Sequence, residues 1–250
     1  MKSLAIIGSG GMLGSDLVRY LDSHFHITPI HRKNYKSVIG KMFDIVINAN
    51  GNSRRYWANE NPNQDFFAST VSVMQSIHDF PCNLYIYISS PDVYKTHWGS
   101  KEGEVIDSTK LEPYGFHKYL SELIVKKYTK YYLILRCSMI LGSNLRKGPI
   151  FDIAHNIPLS ITLDSRLQLI TTRAVSDIIR TMLDNTASRN TFNVGGIGSV
   201  SFTRIGTYFN QKIQTKRDAK KQRYEMNIEK VRGLYPELAT SQEYLQEFMQ

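Results

Sequence analysis

Short apolar runs alternate with segments of helical periodicity along the first half of this chain. Leu4-Ala5-Ile6-Ile7 reads as a buried strand, and Leu13, Leu17, Tyr20 and Leu21 then recur at helical spacing, which predicts a helix over 12–23. A second strand pattern covers Phe25 to Ile30, a third Asp44 to Ile47 and a fourth Leu84 to Ile88. Helices are predicted over 63–79 and 115–130, and Leu133-Ile134-Leu135 follows as a further strand. Strands alternating with helices require crossover connections, and hence a parallel sheet covered by helices on both faces. The expected fold class is therefore α/β, a Rossmann-type doubly wound sheet. Only about ten residues, Asn34 to Phe43, separate the second strand from Asp44, so the usual third strand is trimmed or absent.

The pattern changes after Gly142. Asn144 to Leu163 carries Gly148-Pro149 and Ile157-Pro158 and reads as a departure from the sheet toward a small C-terminal substrate lobe. Short strands are expected at Gln168–Thr172 and Phe192–Val194, with a helix over Ser176–Asp184 between them. A capped helix is expected from Ser201, and a last helix in the tail from Tyr235 to Gln250. The division that follows is residues 1–143 and 164–196 for the dinucleotide domain, and 144–163 and 197–250 for the lobe. There are no internal repeats or low-complexity segments.

Three motifs carry chemistry. Gly8-Ser9-Gly10-Gly11-Met12-Leu13-Gly14 sits between a strand and a helix, where a glycine turn lets the backbone approach a pyrophosphate at a helix N-terminus. The spacing fits GxxGxxG better than GxGxxG, although Gly10 leaves both legible. Ser89-Ser90 ends a strand, the edge of an open α/β sheet at which chemistry is done, and a hydroxyl there can hydrogen-bond a substrate oxygen. Tyr114 and Lys118 are four apart and share one face of a helix. An ammonium beside a phenol favours the phenolate, so the tyrosine can exchange a proton with a carbinol or carbonyl oxygen.

In this order the motifs resemble the extended short-chain dehydrogenase/reductase superfamily, the NAD-dependent epimerase/dehydratase group. Asp44 to Gly51, Leu133 to Gly142, Val175-Ser176-Asp177-Ile178 and Phe192 to Gly196 resemble further segments of that family, so the likeness covers most of the chain. The resemblance implies an NAD(P)-dependent oxidoreductase acting on a carbohydrate, a reductase of a nucleotide-linked keto-sugar. The alternatives are an epimerase that retains NAD and a non-catalytic NADP-binding regulator. It implies that Tyr114 is the proton donor or acceptor, Lys118 its partner, and that Ser90 holds the substrate oxygen. The cofactor would meet Gly8, Gly10, Gly11, Met12, Leu13, Gly14, Ala49, Asn50, Gly51, Tyr114, Lys118, Cys137 and Met139. The substrate would meet Ser90, Asp92, Asn144, Arg146 and Arg173. Pairing through the helices 63–79 and 115–130 makes a homodimer expected, because Phe66, Phe67, Val71, Val73, Met74, Ile77, Phe116, Leu120, Leu123, Ile124, Val125 and Tyr128 exceed what one buried face needs.

The departures from the family matter too. Ala68-Ser69-Thr70-Val71 stands where the family places an asparagine, and Ser90-Pro91-Asp92 replaces the Thr-Asp-Glu of dehydratases, which argues against dehydration. Ile170 takes the place of a substrate arginine of several epimerases. After the second strand come His31-Arg32-Lys33 rather than an acid, a cationic group suited to a 2′-phosphate, so NADP(H) is favoured with NAD(H) possible.

Composition changes this picture little. Cys82 and Cys137 lie in apolar strands and offer neither a disulfide framework nor a metal cluster, which fits a reducing cytoplasm. No stretch approaches the length of a membrane span. The net charge of +9 includes a basic run at Lys216, Arg217, Lys220, Lys221 and Arg223. It reads as a solvated face that also steers anionic ligands, and a nucleic-acid partner is not expected. The histidines show no metal-ligand spacing, and His117 is expected on the surface.

Overall fold

The computed structural model describes residues 1–185, 188–209 and 212–250. Its centre is a six-stranded sheet in the order β2-β1-β3-β4-β5-β10, with every neighbouring pair parallel. The first five strands are β1 (Ser3–Ile7), β2 (His26–Ile30), β3 (Phe43–Asn48), β4 (Cys82–Ser89) and β5 (Tyr132–Cys137). The helices between them are α1 (Met12–Leu21), the short α2 (Tyr35–Val38), α3 (Arg55–Glu60), α4 (Pro62–Asp65), α5 (Ser72–Asp79) and α6 (Pro113–Tyr128). β2 is an edge strand, and residues 31–42 hold only α2, so the third strand is absent among the described residues, as the short spacing predicts.

Each continuous apolar run is buried on both faces. Leu4, Ile6, Ile45, Ile47, Ile86 and Ile88 point to one side, where Leu13, Leu17 and Leu21 of α1 join them. Ala5, Ile7, Val46, Tyr85, Tyr87 and Ile134 point to the other, with Val73 of α5 and Val125 of α6. Period-two alternation within an all-apolar strand thus feeds two helix layers.

Beyond β5 the chain runs through β6 (Met139–Leu141), α7 (Pro149–Ala154), β7 (Leu159–Ile161), β8 (Arg166–Leu167) and β9 (Leu169–Thr171). It returns through α8 (Thr172–Asn185) to β10 (Asn190–Val194). It ends with β11 (Val200–Ser201), α9 (Phe202–Phe209), β12 (Thr215–Lys220), β13 (Arg223–Tyr224), α10 (Glu229–Leu234) and α11 (Ser241–Met249). A third apolar cluster, including Leu141, Ile150, Leu159, Leu167, Phe202 and Leu245, gathers these later elements. β12, which carries much of the basic run, pairs with β7, while β11, β8 and β13 form a small sheet of their own.

The predicted helix over 63–79 is broken: α4 and α5 are joined by a π-helix over Phe66–Val71. The apolar excess on it and on α6 is only partly exposed. Val73 and Val125 belong to the core, whereas Phe66, Phe67, Leu123 and Tyr128 face solvent, Phe67 at 67%.

One buried polar network ties these layers together. Glu122 of α6 accepts hydrogen bonds from Arg136 Nε (2.9 Å) and Nη2 (2.6 Å) of β5 and from the Ser89 hydroxyl (2.6 Å) of β4. Arg136 Nη1 donates to Tyr94 Oη (2.7 Å), which donates to Asn193 Oδ1 of β10 (2.8 Å). Asn193 Nδ2 in turn donates to the carbonyls of Ser100 and Asn227. Both charges of the pair are almost fully buried. Glu122→Ala leaves the guanidinium desolvated without its partner, a change that typically costs about 3–5 kcal/mol. Urea unfolding followed by circular dichroism should show a loss of that size; a loss under 1 kcal/mol, on the order of a surface pair, would contradict the assignment.

Candidate active site

Four strand ends meet at the carboxyl edge of the sheet, the edge at which doubly wound folds bind ligands. β1 delivers the glycine loop, β3 delivers Ala49-Asn50-Gly51, β4 delivers Ser89-Ser90 and β5 delivers Cys137. At the loop, Gly8 has φ +83°, and its N–H donates to Ile30 O at 2.9 Å. A Cβ on Gly14 would stand 2.1 Å from Gly8 O, so only glycine lets α1 pack on the turn. Among the described residues nothing crowds Gly10, whereas a Cβ on Gly11 would stand 3.3 Å from Gly8 O, which agrees better with the GxxGxxG spacing. The Ser9 hydroxyl is buried without a partner, and α1 begins with no side-chain cap. Unsatisfied donors at a helix start suit a pyrophosphate, and the loop therefore fits a dinucleotide. His31-Arg32-Lys33 follows β2 beside this loop, exposed and without an ion pair among the described residues.

Ser90, Tyr114 and Lys118 come together, all buried. Gly115 makes this possible: a Cβ there would stand 2.0 Å from Asp92 O, so α6 can lie against the turn that follows Ser90. Asn59 of α3 caps the start of α6, its Oδ1 accepting from Tyr114 N at 3.1 Å. Lys118 Nζ donates to Ile88 O at 3.1 Å and lies 5.1 Å from the centre of the Tyr87 ring. Burial pushes the Tyr114 phenol up to about 12, outweighing Lys118 and the Ser90 hydroxyl, which both lower it. The pairing thus acts in the direction the spacing predicts, but desolvation is the larger effect. Burial likewise holds Cys137 up to about 12 against the pull of Lys118.

Around Asp92 gather residues that no motif announces, Arg55, His97 and Tyr224. Asp92 Oδ2 accepts from the Ser90 hydroxyl at 2.9 Å, and Asp92 Oδ1 accepts from Tyr224 Oη at 2.9 Å. Arg55 Nε and His97 Nε2 lie 3.5 and 3.6 Å from the same carboxylate. Arg55 also donates to Tyr224, and the His97 ring stacks on that of Tyr224 at 4.0 Å. Burial first, then the Arg55 charge, lowers the His97 pKa against the pull of Asp92. Asn144 and Arg146 are exposed on the loop after β6, and Met139 Cε stands 3.4 Å from where a Gly148 Cβ would be. Arg173 lies over the Tyr20 ring of α1, 6.0 Å from its centre, rather than with Ser90.

His117 is a correction. It is buried, and its Nδ1 stands 2.7 Å from Asp65 Oδ2, because α4 and the π-helix cover the flank of α6 that helical spacing leaves open. Asp65 Oδ1 also accepts from Asn52 Nδ2 and the Ser69 hydroxyl. Ser69, within the stretch that stands where the family places an asparagine, has its hydroxyl 3.7 Å from where a Gly51 Cβ would be, as does Lys118 Nζ.

Lys147, unremarked in sequence, donates to the Ser53 hydroxyl at 2.6 Å and so joins the loop after β6 to the loop after β3. Burial and then the Arg54 charge push its pKa down to about 8. It is cationic below that pH and neutral above it. Acetic anhydride labelling of Lys147, read by peptide mass spectrometry, should reach half its limiting rate near pH 8; a rate that climbs only around the ordinary lysine value of about 10.4 would contradict this.

Comparison with known proteins agrees with this fold. No curated protein sequence matches the chain. Among solved structures, RMD from Pseudomonas aeruginosa, complexed with NADPH, superposes with a TM-score of 0.81 at 16% identity, covering 100% of this chain and 98% of that one. A dTDP-4-dehydrorhamnose reductase from Bacillus anthracis, in complex with NADP, gives 0.79 at 18% identity, covering 99% and 98%. A UDP-galactose 4-epimerase gives 0.80 at 17%, covering 99% and 97%. At these identities the likeness is one of fold. The model of the NAD dependent epimerase/dehydratase family matches residues 4–195, and the chain belongs to that family.

Proposed function

We propose that the chain is an NADPH-dependent reductase of a keto-sugar carried on a nucleotide. The observation that carries this reading is the buried Tyr114 phenol beside Ser90, with Lys118 on the same helix face. NADPH supplies the hydride when bound. The glycine loop and the start of α1 hold its pyrophosphate, and His31, Arg32 and Lys33 take the 2′-phosphate. The NADPH and NADP bound in two structural neighbours support that choice. Ser90 turns its hydroxyl from Asp92 to the substrate carbonyl and polarises it. Tyr114 gives that oxygen its proton, and Lys118 stabilises the phenolate left behind. Asp92 does not serve as an acid for a departing hydroxyl, since its carboxylate is occupied by Ser90, Tyr224 and Arg55. Lys147 and Arg54 present positive charge to a diphosphate, as the nucleotide-sugar names of the reductase and epimerase neighbours suggest. An epimerase keeping its NAD would show no net cofactor turnover, so stoichiometry separates the two readings.

Tyr114→Phe removes the transferable proton and little else. Turnover should fall about 10²–10⁴-fold with NADPH affinity unchanged; more than a tenth of wild-type activity would sink the role. A proton donor works in its protonated form, present below its pKa and lost as pH rises through it. With the phenol at about 12, this group causes no decline in reductive kcat/KM between pH 7 and 9.

Arg32→Ala tests the cofactor. The wild-type protein should bind NADPH more tightly than NADH, and the substitution should shift that preference by roughly ten- to a hundredfold, the worth of one charge-assisted contact. Equal wild-type affinities by calorimetry would end the assignment.

A homodimer built on α5, the π-helix and α6 would cover Phe66, Phe67, Leu123 and Tyr128, which otherwise stand in water. Light scattering at micromolar concentration should give twice the chain mass of 28.7 kDa; the single mass would defeat it.

A further inference from the structure

The small sheet β11-β8-β13 has two unlike faces. Val200, Leu167 and Tyr224 pack inward on the lobe's apolar cluster. Arg166 and Arg223 are direct partners across β8 and β13 and so share the opposite face. Like charges directly opposite one another on a sheet are destabilising. A third arginine, Arg204 of α9, lines the same cleft, and its guanidinium has no hydrogen-bond or ion-pair partner among the described residues.

None of the three makes an ion pair among the described residues. Arg166 is held by neutral oxygens, the Ser199 hydroxyl at 3.0 Å and the Ser199 carbonyl at 2.6 Å. Arg223 lies over the Trp98 ring, 3.0 Å from its centre, and Trp98 remains 40% exposed. Glu225, the one acid lining the cleft among the described residues, accepts from the Ser199 hydroxyl. The cleft measures about 580 Å³, within the range of about 300–1,000 Å³ typical of small-molecule sites. Three guanidinium forks without an ion pair among the described residues, facing a single acid, match phosphate oxygens, and the exposed indole offers a surface for a ring.

We propose that this cleft binds a phosphate ester bearing a planar ring, of mononucleotide size, at a place separate from Ser90, Tyr114 and Lys118. The separation follows from the strand itself. Tyr224 and His97, the chain neighbours of Arg223 and Trp98, reach the opposite way to Asp92. An occupant therefore holds from behind two segments that line the reaction site. The proposal does not rest on the reductase reading.

The chain has two tryptophans, Trp57 and Trp98, so Trp57→Phe leaves Trp98 as the sole reporter. With the dinucleotide site saturated by NADP⁺, ADP titrated into this protein should change Trp98 emission saturably. Arg204→Gln and Arg223→Gln should each weaken the response about tenfold, while unchanged NADP⁺ binding reports that each variant is folded. The proposal is overturned by a flat emission through the millimolar range. It is equally overturned by a response that survives both substitutions, which would place ADP elsewhere, or by inorganic phosphate binding as tightly as ADP, which would leave the ring unrecognised.

Discussion

The buried Glu122–Arg136 pair is the constraint on which the site depends. A pair this far from water is a poor source of net stability, since desolvating both ions offsets most of their attraction. What it supplies is position. Glu122 stands one helical turn after Lys118 on α6, and its carboxylate is fixed by β5 through Arg136 and by β4 through Ser89. The helix bearing Tyr114 and Lys118 therefore cannot slide or rotate against the strand bearing Ser90 without stripping a buried charge. At Gly115 no side chain holds the helix off the turn after Ser90, where a Cβ would stand 2.0 Å from Asp92 O. Through Tyr94 and Asn193 the same network reaches β10 and the backbone at Asn227, so the later elements are set against the sheet by the same bonds.

Within that frame, burial and charge pull Tyr114 in opposite directions, and burial is the stronger. A phenol protonated throughout the neutral range is in the form from which the proposed reduction starts, with the proton on Tyr114 and not yet on the substrate oxygen. Asp92 belongs to the same balance: it holds the Ser90 hydroxyl and is itself held by Tyr224, Arg55 and His97.

What could be read in the sequence was whatever local periodicity and spacing encode. Continuous apolar runs marked the strands of a sheet buried on both faces, the short interval before Asp44 foretold the third strand's absence among the described residues, and Tyr114, Lys118, Ser90 and the glycines stood out by context as candidates. Contacts made across long sequence distances were not legible. Arg55, His97 and Tyr224 converge on Asp92 from separate segments, each looking like an ordinary surface residue alone. His117 looked exposed because helical spacing describes only the helix's own faces, not the π-helix that covers one of them. Lys147 has no motif, and its lowered pKa exists only because folding buries the ammonium and brings Arg54 beside it.

The most direct test follows the hydride. The protein is mixed with NADPH deuterated at the transferred position and with nucleotide-linked keto-sugars, and the products are read by mass spectrometry and by cofactor absorbance. The proposed chemistry requires deuterium on the reduced carbon of the sugar and one NADP⁺ formed for each product molecule, both lost with Tyr114→Phe. Sugar converted without net cofactor oxidation, or deuterium transfer that persists in that variant, would contradict it.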